Sequence, residues 1–584
     1  MVLSGPTLKA LEVFETEFAE SNNDGKGYKG SLIWALDHTI TKFGSRLLRK
    51  WIGKPLVNVE MLNQRVDAVE EVIKCVSTEN IPIVKMRGLL HQIPDLEKSL
   101  PRIHYTRCPP SDLYATLTAF QKISSTFPNA SIAQSFKSPI LNTIFSRPAS
   151  IASLVEGYIT VLDSAACAKN RKHDVFLFSE DDDGRVSEKR ARVKALKEKL
   201  RVCEAEFEKL LQSIRKKFKG GSAVEFVSVS GTDYLIEVKA ANVGSVPKDW
   251  VCVSKLKAVS RFHTPEVLEQ MHERDMIIEQ LSIAADIAYT EFLGEVAASY
   301  QELRDVVQSL AIVDCLMSLA KVADQPGYTK PTYSADPVMC VKDGRHPMVE
   351  MLISNFVPND ISLTKNDRCL LITGPNMGGK SSYIRQVALL AIMGQIGSYV
   401  PATSAHLGIF DSIHTRMGAY DDITRGQSTF MKELAETSEI MHSATPRSLV
   451  IVDELGRGTS THDGTAIAYS CLQYFLKDIK CATLFVTHYP VLGNVAGVQC
   501  AHVGFIADDD TKGDDGNDTT VTFLYKLTAG LANCSYGLNV ARLAGIPETV
   551  VKSAYVQSKK LEALHEGKNP FTRKGLKVLK AAFV

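Results

Sequence analysis

The run Thr373-Gly-Pro-Asn-Met-Gly-Gly-Lys-Ser-Ser382 constrains this chain more than any other segment. Arg368 to Thr373, ahead of it, is an apolar run suited to a buried strand, and Tyr383 to Met393, behind it, is apolar at helical spacing. Gly374, Gly379, Lys380 and Ser381 fit G-x-x-x-x-G-K-[ST], a phosphate-binding loop between strand and helix. The glycines allow backbone N–H groups to approach phosphates, and the following helix turns its positive end toward them. Lys380 is expected to reach the outer phosphates and the Ser381 hydroxyl to bind Mg²⁺.

Two further strand-like runs end in polar groups. Ser448-Leu-Val-Ile-Val-Asp-Glu454 closes on two carboxylates, with Asp453 suited to the Mg²⁺ shell and Glu454 to orienting or deprotonating an attacking water. Such a pair taken alone also caps helices, and its place downstream of a phosphate loop decides for catalysis. Ala482 to Thr487 ends at His488, which a parallel sheet would place on its ligand side, within reach of the terminal phosphate or the water. Between these strands, Arg425-Gly-Gln-Ser-Thr-Phe-Met-Lys-Glu433 offers Ser428 or Thr429 as N-cap of a helix running to about His442, a second anion-binding helix start.

A chain of 584 residues is too long for one core and implies three or four domains. A formal charge of +1 means that any nucleic-acid binding must use local patches. Twelve cysteines lack CxxC or zinc spacing, which suits a reducing compartment without disulfide framework or structural metal. The N-terminus has no secretory pattern, and no apolar run is expected to span a membrane. Asn22 to Gly30 and Asp508 to Asp518 read as polar loops.

Residues from about Thr7 to Arg171 read as mostly helical. Val193, Leu196, Leu200, Cys203, Phe207, Leu210 and Ile214 form a seam at 3-4 spacing over three heptads. This helix is expected to pair with one over roughly Thr264 to Tyr300, making an arm on the order of 35 Å long. Glu225 to Val229 and Asp233 to Val238 form a hairpin around Gly231 at its tip. Nearby stand Arg215, Lys216, Lys217, Lys219, Lys255, Lys257 and Arg261, a basic set suited to gripping a phosphate backbone.

The segments GPNMGGKSSYIRQ, RGQSTFMKELAE, VIVDELGRGTSTHDG, VTHYP and YGLNVARLAGIP together resemble the MutS family of DNA mismatch-repair ATPases over about Arg345 to Ala563. The wording GGKSSYIRQVALLAIMGQIGSYVPA is most similar to the eukaryotic branch that handles insertion/deletion loops, apart from Ser382, where the family more often has Thr. The resemblance implies a multidomain fold: a mostly α-helical lever (1–190 and 264–335), a helical arm with a small β clamp (191–263), a C-terminal α/β P-loop ATPase domain of ABC type (336–545) and a helical dimerisation segment (546–584). It implies ATP and Mg²⁺ as ligands, with Pro375, Asn376, Met377, Gly378 and Ser382 completing the loop. Phe356 would stack on adenine and Tyr525 stand beside the base. Ser428 would serve the partner's γ-phosphate, Arg457 to Thr461 would cross a dimer interface, and His488 would act as a switch. The implied partners are looped or mismatched double-stranded DNA, a second MutS-homologue subunit and MutL-type factors, in the nucleus. The family's mismatch-reading and connector domains have no counterpart here, so lesion specificity is not expected from this polypeptide alone. Two other readings stay open: a meiotic-recombination member clamping branched DNA, and a truncated subunit that dimerises without recognising lesions.

Overall fold

The computed structural model describes residues 1–16, 29–78, 81–128, 136–178, 187–218, 224–375, 378–418, 428–508, 520–531, 541–542 and 544–568. Asn376, Met377 and Lys219 lie outside the described residues, as do most of the two polar loops and part of the YGLNVARLAGIP segment. The chain divides into two compact units. The first holds residues 1–87, 136–142 and 311–584, and the second residues 88–135 and 143–310.

The first unit is built on a seven-stranded sheet. Its strands are β1 (Val2–Leu3), β2 (Cys369–Thr373), β3 (Ser412–Arg416), β4 (Ser448–Asp453), β5 (Ala482–Val486), β6 (Val498–Asp508) and β7 (Thr520–Ala529), in the order β1-β3-β4-β5-β2-β6-β7. All neighbours are parallel except β6 and β7. The central strands are buried nearly throughout, as expected for a parallel sheet covered on both faces, and this is why they read as continuous apolar runs. Asp453 pairs with Val486, and Val486 with Ile372. The carboxyl ends of β4, β5 and β2 are therefore level along one edge of the sheet.

Three helices matter for that edge: α1 (Lys380–Gln395) follows β2, α2 (Thr429–Ser443) precedes β4, and α3 (Thr461–Tyr474) follows it. A four-stranded sheet (332–334, 404–408, 339–344, 359–363 in spatial order) belongs to the same unit. The N-terminal helices Lys42–Gly53 and Val59–Ser77 are tied to the end of α1. Arg65 stacks on Trp51 at 3.6 Å and donates to Ile396 O at 2.8 Å, and the buried Gln395 amide donates to Leu56 O at 2.7 Å.

The second unit is mostly helical and carries the arm. The outgoing arm helix is Glu188–Lys217 and the returning one Pro265–Ala298, capped by Ser187 and Thr264. Contacts of Arg190 with Glu295 and of Cys203 with Gln270 make the two antiparallel. At 1.5 Å per residue they run about 45–50 Å, longer than the sequence expectation. Of the expected seam, Val193, Cys203, Phe207 and Ile214 are buried, while Leu196, Leu200 and Leu210 are half-buried. The hairpin is present as Phe226–Val229 and Thr232–Lys239, turning at Ser230 and Gly231, within a four-stranded antiparallel sheet. Phe207, Ile214, Ile236, Val238, Phe262 and Val267 form its core with the helix ends.

One expectation is corrected. Helix Tyr300–Ala323 is, by length and composition, apolar enough to cross a membrane. Its most apolar stretch is 78% buried within the protein, with Leu303, Val313, Leu316 and Leu319 inaccessible, so a packed core accounts for that composition.

Candidate functional site

The loop after β2 turns at Gly374 (φ +133°) and meets α1 through Gly379 (φ +90°). The positive φ at Gly379 favours glycine there, and a Cβ would also lie a tight 3.2 Å from the Tyr525 ring. Lys380 is 5% exposed, and its ammonium donates to Gly374 O at 2.7 Å and Pro375 O at 3.0 Å, inside the mouth of the loop. Burial lowers its pKa, against the opposing charges of Glu454 and Asp453. The ammonium also stands 3.9 Å from Glu454 Oε1.

Asp453 closes β4. Its Oδ2 accepts the Ser381 hydroxyl at 2.9 Å, while its buried Oδ1 has no hydrogen-bond partner among the described residues. Burial and the charge of Glu454 raise its pKa despite the Ser381 bond. A buried carboxylate oxygen without a donor, next to a hydroxyl oxygen at a phosphate-binding loop, suits a hard divalent cation with oxygen ligands. The residues present therefore fit Mg²⁺.

Glu454 takes a left-handed conformation (φ +62°), fixed by its N–H donating to Val486 O at 2.9 Å. Its Oε1 lies 2.9 Å from His488 Nε2 and its Oε2 pairs with Arg457. Burial pushes its pKa up, but the His488 hydrogen bond and the Arg457 and Lys380 charges outweigh it, and the net shift is downward. His488, expected against a phosphate or water, thus stands against Glu454 itself.

A cavity of about 660 Å³ opens beside the loop. Pro375, Gly379, Lys380, Ser381, Ser382 and Glu454 line one side, and Phe356, Val357, Asn359 and Tyr525 another. The buried Asn359 amide donates to Tyr525 O at 2.9 Å and accepts from Leu527 N at 2.8 Å, fixing β7 beside the cavity. Gln386, 1% exposed, also lines it with an amide nitrogen that has no partner among the described residues. Nothing in the sequence pattern singled out Asn359 or Gln386, which join the site only through the fold; the Arg457 contact with Glu454 is local, three residues apart, and carries no motif signal of its own.

Ser428 lies apart from the cavity lining. It is the N-cap of α2, its hydroxyl accepting from Met431 N at 3.2 Å. In the other unit, the basic residues divide by what they touch. Arg215 donates to Val224 O at 2.7 Å and Arg261 to Glu237 at 2.8 Å, both within the arm tip, and Lys217 lies 4.0 Å from Glu266. Lys216, Lys255 and Lys257 are exposed.

Comparison with known proteins adds two family models: MutS domain III matches residues 6–320, and MutS domain V matches residues 370–562. A DNA mismatch repair protein msh3 from Aspergillus terreus is 44% identical over 576 residues, covering 96% of this chain and 50% of that protein. Its namesake from Aspergillus fumigatus is 45% identical over 577 residues (96% and 49%), and that from Coccidioides immitis 44% identical over 582 residues (97% and 50%). The chain spans about half the length of the curated relatives it matches. One domain model matches more than half of the chain and the second takes in the strands and helices of the site, so this chain belongs to the MutS family.

Proposed function

We propose that the chain is an ATP-hydrolysing, DNA-gripping subunit of mismatch repair of the insertion/deletion-loop type. It works with a second MutS-homologue subunit, upstream of MutL-type factors, in the nucleus. The observation that carries the hydrolytic reading is the meeting of Lys380, the Ser381–Asp453 pair and Glu454 at one loop, beside a cavity of nucleotide size with Phe356 and Tyr525 in its wall. An ABC-type P-loop domain has this arrangement of parts. The names of the relatives, DNA mismatch repair proteins, support the repair role.

Each residue has a task in this reading. Lys380 and the loop N–H groups bind the outer phosphates, and Ser381 and Asp453 hold Mg²⁺, which when bound neutralises charge on the transferred phosphoryl group. Phe356 and Tyr525 contact the base. Glu454 is ionised and poorly basic, since His488 and Arg457 lower its pKa. It therefore serves better to orient the attacking water than to remove its proton early. His488 holds the Glu454 carboxylate in place. Ser428 of one subunit completes the partner's site.

The test is Mg²⁺-dependent ATP turnover by the chain paired with a second MutS-homologue subunit. Lys380→Ala should weaken nucleotide binding. Glu454→Ala should keep binding and lower turnover by roughly 100-fold or more. Wild-type turnover in Glu454→Ala would remove Glu454 from its role, and no turnover in any pairing would end the hydrolytic reading.

A further inference from the structure

Glu433 lies on the second turn of α2, five residues from Ser428, and is 4% exposed. A carboxylate buried this far is costly unless its oxygens are used. Its Oε1 accepts from the backbone N–H of Gly456 at 2.6 Å, and its Oε2 lies 3.5 Å from the Arg416 guanidinium at the end of β3. Arg416 is itself 4% exposed and is held by Gly418 O at 2.6 Å and by Glu436 at 3.6 Å.

Gly456 is two residues past Glu454 and is gripped from both sides. Its N–H is taken by Glu433, and its carbonyl accepts the Tyr489 hydroxyl at 3.1 Å. Tyr489 follows His488, which contacts Glu454. Gly456 has φ +95°, and a Cβ there would lie 2.7 Å from Gly464 O on α3. A Cβ on Gly458 would lie 2.7 Å from Phe430 Cβ on α2. The turn after Glu454 is thus seated directly on α2, and the one buried charged contact in that seat, among the described residues, is Glu433.

We infer that Glu433 is a positioning residue: through the Gly456 N–H it locks the turn carrying Glu454 to the helix whose start bears Ser428. The inference rests on the hydrolytic reading above. It places the water-orienting carboxylate and the helix start offered to the partner under control of one buried contact. A shift of α2 then moves Glu454, and engagement of Ser428 across a subunit pair is felt by the chain's own site.

The experiment uses the full chain in its hydrolysing pair. Glu433→Ala should lower kcat on the order of 10–100-fold, as small misplacements of catalytic groups do, with affinity for a fluorescent ATP analogue held within about twofold. Amide hydrogen exchange at Gly456 should quicken. Glu433→Gln still offers an oxygen to the Gly456 N–H and should keep kcat within about threefold of wild type, with slow exchange. Tyr489→Phe removes the hydroxyl that bonds Gly456 O, on a half-buried residue, and so tests the same turn even where Glu433→Ala folds poorly. It should lower kcat without loss of affinity, and should add little to Glu433→Ala in the double variant. Wild-type kcat in Glu433→Ala, equal losses in the Ala and Gln variants, or a loss confined to affinity would each overturn the inference. A wild type with no Lys380-dependent turnover would instead sink the hydrolytic reading, and this role for Glu433 with it.

Discussion

A glutamate at φ +62° holds a conformation that costs an L-residue on the order of 1–2 kcal/mol, and Glu454 is kept there by Val486 O, His488 and Arg457 together. The strain marks a side chain whose direction is fixed by its surroundings. The wall of the same cavity depends on a second buried polar residue. His346 is 3% exposed, and its Nδ1 accepts from Met348 N at 3.4 Å and Val349 N at 3.3 Å, starting the turn that brings Val349 to the cavity. Burial and the Arg385 charge lower its pKa to about 4. The folded protein holds the neutral ring, while the unfolded chain takes up a proton near the ordinary histidine value. His346 therefore contributes its full stability above about pH 6.5, and that contribution falls away as pH drops from there toward 4, by roughly 3 kcal/mol at most. Denaturation measured across this window should show the slope. His346→Asn, whose oxygen can accept the same amides without titrating, should lack it, and an unchanged slope would assign the acid sensitivity elsewhere.

At the scale of elements, α2 has two separable properties. Ser428 caps it, so Ser428→Ala should cost the helix about 1 kcal/mol whatever else the residue does. Ser428→Asp keeps an acceptor for Met431 N and favours the helix start, so stability should hold. If Ser428 faces a partner's γ-phosphate, the added charge should abolish turnover in the pair while the chain alone binds nucleotide normally. Turnover retained by Ser428→Asp would reduce the residue to a cap. This helix, its cap and strands β2, β4 and β5 could be read from the sequence because each carries a local signal: an apolar run, a capping hydroxyl, a glycine-rich turn. The arm seam was readable for the same reason, at 3-4 spacing. Val2–Leu3 was not, since two residues have no period and become a strand only by pairing with β3. Nor was the packing of Glu433 under Gly456, which joins positions with no local pattern between them. The apolar composition of Tyr300–Ala323 is ambiguous in isolation, and its burial resolves it.

For the whole molecule, a formal charge of +1 leaves no global field to draw in a polyanion, so the duplex binding proposed above would have to rest on a few exposed cations. The arm tip separates two kinds of basic residue. Arg215 ties the end of the arm helix to Val224 O ahead of the small sheet, and Arg261 links two of its strands through Glu237. Lys255 and Lys257 stand exposed at the end of strand Val251–Lys255 and just beyond it. Each lysine that meets a phosphate releases counterions on binding, and its removal lowers the slope of log affinity against log salt by about 1. The Lys255→Ala/Lys257→Ala pair should therefore bind looped duplex more weakly at low salt, with a slope reduced by about 2 and no loss of thermal stability. Arg261→Ala should do the reverse, loosening the tip while the slope barely moves. Fluorescence anisotropy over a salt series, with thermal unfolding of the same variants, measures both quantities. A slope unmoved by loss of the two lysines would take the tip out of phosphate contact.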